Sequence, residues 1–157
     1  LEFRRVLFRS RHMGNFTLLS RRLEDLGAAY GDHPAHDGLW EAAETTAGDL
    51  LARLALVPMV LEARGLDTTP EAVRRFRAGG DDITADLLER IGNEEVPHVA
   101  AGVRWFRFLC HRRGIDPEAT FHALTQRNFR GRLKPPFNTE ARTRAGFGEE
   151  FYRPLSA

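Results

Sequence analysis

Ile83, Leu87, Ile91, Glu95, His98, Gly102 and Phe106 recur at steps of three and four residues, the spacing of one face of a single long helix. Asp81 or Asp82 supplies a cap in front of that helix. Gly114 follows Arg113, as a glycine does just past a helix end. A helix of this length with one apolar stripe has to bury that stripe against other helices, so the rest of the chain is read for partners.

The partners are legible from their punctuation. Phe16, Leu18, Leu19, Leu23 and Leu26 predict a helix over about 13 to 29, ended near Gly27. Asp37 fits as the N-cap of a second long helix running to Arg64 and stopped by Gly65, with Glu41 and Glu44 early in it to complement the helix dipole. Thr69-Pro70-Glu71 reads as the start of a short helix closed by Gly79-Gly80. Asp116-Pro117-Glu118 repeats that start signal for a helix reaching about Phe129. After it, Pro135 and Pro136 forbid continuation, and a turn of helix near Thr139 to Ala145 precedes an irregular tail. No segment alternates with period two. The expected class is all-α: a helical bundle over 13–129 with a Pro- and Arg-containing extension over 130–157.

Residues 1–12 stand apart. Val6-Leu7-Phe8-Arg9-Ser10 looks like a translated sequencing adapter, and such a leader is left out of fold reasoning; the other reading is a genuine basic amphipathic arm. The net charge of +1 gives no push toward nucleic acid or anionic lipid, so neither DNA nor a membrane is an expected partner. The longest apolar run, Leu54 to Leu61, is too short to span a bilayer. Cys110 is the single cysteine, which excludes an internal disulfide and fits a cytoplasmic protein. Set among Phe106, Phe108 and Leu109, it reads as a small buried hydrophobe.

One acid interrupts the apolar run. Between Arg53 and Arg64 only Glu62 is charged, and it shares a stripe with Leu51, Ala55 and Pro58. An ionised carboxylate facing a core must be paired, protonated or metal-bound. The long helix offers the complement, because Glu95-Val96-Pro97-His98 puts an acid and an imidazole on its apolar face. Di-metal carboxylate bundles take a Glu from each of two helices and a Glu-x-x-His from each of two others. Glu62, Glu95 and His98 are therefore the candidate metal ligands, and their mix of carboxylate and imidazole suits iron or manganese. Two bland readings stand beside this one: a chance Glu-x-x-His with a core histidine, or a salt bridge from Glu62 to Arg53, Arg104 or Arg107. Pro58 and Pro97, inside helical stretches, mark either a functional irregularity or a packing kink.

Asp32, His33, His36 and Asp37 form a second polar cluster, read as loop structure with solvated histidines. His111 and His122 are read as structural. Arg127, Arg130, Arg132 and Lys134, interleaved with Phe129 and Phe137, could serve an RNA- or protein-binding module in place of catalysis, or be an ordinary solvated strip.

The segments Tyr30-Gly31-Asp32-His33-Pro34-Ala35-His36-Asp37-Gly38-Leu39-Trp40-Glu41, Leu54-Ala55-Leu56-Val57-Pro58, Leu61-Glu62-Ala63-Arg64-Gly65-Leu66-Asp67, Glu95-Val96-Pro97-His98-Val99-Ala100-Ala101-Gly102 and Leu133-Lys134-Pro135-Pro136-Phe137-Asn138 closely resemble an uncharacterised ferritin-like family, a domain of unknown function. The resemblance covers roughly residues 16 to 152. It implies a ferritin-like bundle and, by analogy with bacterial di-iron tRNA hydroxylases of similar architecture, oxygen chemistry. It also implies a Glu-x-x-His where this chain has His12 and Asn15, and an earlier helix with its own Glu. Three of six expected ligands are therefore missing, and the chain is expected to be an N-terminally incomplete, inactive half of a di-iron or di-manganese oxidase or hydroxylase. A homodimer that pools two Glu and two Glu-x-x-His sets is a further expectation. If the metal reading holds, Glu62, Glu95 and a nitrogen of His98 converge within a few ångströms.

Overall fold

The computed structural model describes the backbone of residues 2–156 and the side chains of residues 14–156. Helix α1 spans Glu2–Asp25 and therefore begins inside the segment expected to be a leader; the side chains of residues 1–13, His12 among them, lie outside the described residues. Gly27, at φ 79°, turns the chain out of α1, since only glycine adopts that conformation without steric cost. The helix thus ends earlier than the expected residue 29.

The predicted helix from Asp37 to Arg64 is a broken rod. Helix α2 covers Gly38–Thr45 and helix α3 covers Leu50–Leu56; a π-helical turn over Val57–Glu62 follows, and helix α4 covers Ala63–Ala78. Asp37 stands at the N-cap position of α2 but makes no side-chain cap bond, its φ of −98° and ψ of 11° lying outside the extended conformation such caps use. The working cap is Asp49, which accepts from the amides of Leu51 and Ala52 at 2.9 and 3.2 Å and so restarts the helix as α3.

Gly65 does not end the rod, and Thr69-Pro70 does not start a new helix; α4 passes through both. Gly65 instead lies where α4 approaches α5, and a Cβ on it would sit 4.0 Å from Glu95 Cγ. Pro70 lacks the amide that would bond to Leu66 O, but the side-chain amide of Asn138 donates to that carbonyl at 3.2 Å. A distant residue thus fills the vacancy that normally makes proline a helix breaker.

Helix α5 spans Asp82–Arg113, and the Asp81 carboxylate caps it by accepting from Thr84 N. Gly114 closes it at φ 63°. Helix α6, Pro117–Asn128, is capped by Asp116. Helices α7, Thr139–Arg144, and α8, Glu149–Tyr152, come before a final 3-10 turn over Arg153–Leu155. Among the described residues there is no strand, only a single bridge between Leu133 and Ser156. The chain is an all-α helical bundle, and no described helix is long and apolar enough to cross a membrane.

The core runs along the seam between the α3–α4 rod and α5, with Leu51, Ala55, Leu56, Met59, Val60, Ala63 and Leu66 facing Val99, Val103, Phe106 and Cys110. Its far end is closed by Phe121, Phe147, Phe151 and Tyr152, each 0% exposed. Rings of Phe106, Phe147 and Phe151 meet Phe121 edge to face at centroid distances of 5.6–6.1 Å. The segment after residue 130, expected as an extension, therefore supplies part of the common core. The first half of the α5 stripe does not pack as predicted: Ile83 is 67% exposed, and Leu87 and Ile91 are only half-buried.

Candidate metal centre

The π turn sets up the first ligand. Ala63 N donates to Pro58 O, five residues back rather than four, which inserts one extra residue into the rod and changes the direction of every side chain beyond it. Pro58 makes this turn workable, since its ring occupies the space over Gly102. A Cβ on Gly102 would meet Pro58 Cβ at 2.4 Å. Glu62 is the last residue of the π turn and is half-buried.

The other two ligands come from α5, where Glu95 and His98 lie one turn apart. Their side chains are 18% and 2% exposed, and Glu95 Oε2 lies 3.3 Å from His98 Nδ1. Glu62, Glu95 and His98 each offer a ligand atom, and these atoms lie within 4.8 Å of one another. The three sequence-predicted ligands are brought together. Among the described residues no other group of three or more His, Cys, Asp and Glu side chains is so placed.

Donor spacing tests whether a metal fits. Two ligands about 2.1 Å from one ion are about 3.0 Å apart at a right angle and about 4.2 Å apart across it. The 3.3 Å pair matches the first figure. A shift of a few tenths of an ångström in a flexible carboxylate brings the 4.8 Å limit to the second. Two ionised carboxylates about 4.8 Å apart repel by about 3.5 kcal/mol at an effective dielectric near 20, and a divalent cation between them reverses that sign. The three residues could hold a metal ion.

Of the three arginines considered against Glu62, Arg53 and Arg107 have other partners. Arg53 donates to Thr46 Oγ1 at 2.7 Å and to Ala43 O. Arg107 pairs with Glu150 at 3.3 Å. Arg104 is exposed.

The remaining candidates take structural places. Asp32 accepts from Ala29 N and His36 Nδ1 from Gly38 N, while His33 and His36 are exposed in their loop. His122 Nε2 lies 3.0 and 2.9 Å from the carbonyls of Glu150 and Phe151, where it donates. Cys110 is fully buried, and burial pushes its thiol up, partly offset by a hydrogen bond with the Thr120 side chain. Arg127, Arg130, Arg132 and Lys134 are exposed, but Phe129 and Phe137 are half-buried against the core. An open pocket of about 420 Å³ near Arg132, Thr125 and Ser156 contains none of the three ligands.

Sequence reasoning missed a buried ion pair next to the site. Asp67 and Arg142 meet at 2.6 Å with side chains 1% and 3% exposed. The Arg142 guanidinium carbon lies 4.4, 5.0 and 5.2 Å from the ring centres of Tyr152, Phe137 and Phe147. Phe137 and Phe147, five residues to either side of Arg142, were the only local signal for such a cage.

Residues 10–153 match a family described as protein of unknown function, DUF455. A protein of Haemophilus influenzae, described as an uncharacterized protein, is 41% identical over 133 residues, covering 85% of this chain and 46% of that protein. The chain thus spans about half the length of the curated relative it matches. No solved structure matches.

Proposed function

We propose that this chain, which belongs to the DUF455 family of proteins of unknown function, carries one half of a carboxylate–histidine di-metal centre in a ferritin-like bundle. The observation that carries this reading is the convergence of Glu62, Glu95 and His98, from two packed helices, to within 4.8 Å. Glu62 plays the part of the lone acid of one helix, and Glu95 with His98 the Glu-x-x-His of another.

Each residue has a distinct task. Glu62 and Glu95 supply negative charge to hold a divalent ion, with iron or manganese favoured by the donor set. His98, almost fully buried, supplies an imidazole nitrogen beside the Glu95 carboxylate. Such a metal pair supplies Lewis acidity and redox capacity for oxidation of an organic substrate by oxygen.

A full centre of this class takes six protein ligands, and the described residues of one copy supply three of them, a half-site without turnover on its own. A second copy related by a two-fold axis brings the same three residues again, and a homodimer is the arrangement that uses only residues present here. A single cysteine, buried, suits a reducing compartment, and we place the protein in the cytoplasm.

Metal analysis tests the reading. After anaerobic loading with Fe2+ or Mn2+ and desalting, the chain should retain metal in proportion to protein, and Glu62→Ala should not. Equal retention by both would reject it.

A further inference from the structure

The side-chain hydrogen bonds that Arg142 and Asn138 donate land on the stretch of α4 that follows Glu62. Arg142 Nε donates to Asp67 Oδ1 at 2.9 Å and Nη2 to Asp67 Oδ2 at 2.6 Å. Nη2 also lies 3.4 Å from the carbonyl of Ala63, the residue after Glu62. Asn138 N donates to Asp67 Oδ1 at 2.9 Å, and its side-chain amide to Leu66 O at 3.2 Å. These bonds hold the first turn of α4 at the point where the π turn hands over to α-helix.

A buried ion pair is a poor way merely to fasten α7 to α4. Removing two charges from water costs several kcal/mol, and well-packed apolar residues of similar volume often hold as well or better. What a planar guanidinium fork adds is direction, since it meets a carboxylate in one geometry and fixes rotation as well as distance. The rings of Phe137, Phe147 and Tyr152 limit how far that fork can tilt.

We propose that Arg142 is a positioning residue for the metal centre: through Asp67 and Ala63 O it sets the rotation of the π-to-α junction and thereby aims Glu62 at Glu95 and His98. The C-terminal segment then serves the site although none of its residues touches the metal. The inference rests on the metal-centre reading above.

The test titrates Co2+, as a spectroscopic probe, into the full chain and into Asp67→Leu/Arg142→Met and Arg142→Lys variants, following visible absorption alongside urea unfolding. The apolar double variant should still unfold cooperatively, with a urea midpoint lowered only by the loss of the Asn138 N–Asp67 bond, but bind Co2+ at least tenfold more weakly, with an altered band at saturation. Arg142→Lys, which keeps the charge and loses the fork, should also bind at least tenfold more weakly. Parental affinity and spectrum in a folded double variant would overturn the proposal. If that variant does not fold, the same result in Arg142→Lys would overturn it. If the parent chain gives no Co2+ band that Glu62→Gln diminishes, the metal-centre reading itself fails and the positioning role falls with it.

Discussion

Pro58 rests on the bare backbone of Gly102, so close that a Cβ at Gly102 would lie 2.4 Å from Pro58 Cβ. This contact sets the spacing of the two helices that carry the proposed ligands. Gly102→Ala should therefore cost about 1–3 kcal/mol, as overpacking in a well-filled core does, and urea unfolding measures it. The same variant should weaken metal retention, because Pro58 and Glu62 belong to one π turn and move together.

Asn138 and Pro70 form a compensating pair across 68 positions of sequence. Asn138 caps α7 through Ala141 N and also donates to Leu66 O, which proline leaves without its helical donor. Asn138→Ala should destabilise by about 1–2 kcal/mol, in the range of lost caps. In a Pro70→Ala background the cost should be smaller, since an alanine amide can reach Leu66 O. A double-mutant cycle by urea unfolding reads this coupling, and strict additivity would show that the two residues act independently.

The sequence disclosed those parts of the fold that local chemistry decides. Asp81, Asp116, Gly80 and Gly114 end or begin helices through their own side chains or their positive φ, within a few residues of where they stand. Gly65 and Pro70 carry the same kind of signal, and α4 passes through both; at Pro70 it does so because Asn138, far off in sequence, satisfies the carbonyl that proline leaves without a donor. The character of the site was legible because a lone Glu in an apolar run and a Glu-x-x-His are local patterns. The π turn that aims Glu62 was not, beyond the presence of Pro58. The Asp67–Arg142 pair, 75 residues apart, leaves no local trace at Asp67.

Breaking that ion pair from one side should be severe. Asp67→Ala strands the Arg142 charge in the core and should cost about 3–5 kcal/mol. Asp67→Asn, which keeps an acceptor oxygen, should cost less. Urea midpoints of both variants against the parent check the order, and equal midpoints would contradict it.

Acid should loosen the junction of α1 with α5. The Thr84 hydroxyl and amide, and then Arg22, hold the Asp81 carboxyl below its ordinary value. A depressed folded-state value means the stabilisation is present above the unfolded value of about 3.9 and is lost as pH falls through the folded one. Amide exchange at Thr84 should therefore accelerate as pH falls from about 5 to about 3, relative to intrinsic rates. In Asp81→Asn that extra acceleration should be absent.

Glu62, Glu95 and His98 can be judged most directly by anomalous diffraction at the iron or manganese edge, from crystals equilibrated with that metal. The account predicts a peak about 2.1 Å from a carboxylate oxygen of Glu62, a carboxylate oxygen of Glu95 and a nitrogen of His98. An ordered triad with no peak among its three side chains, or with Glu62 turned away to a protein cation, would contradict it.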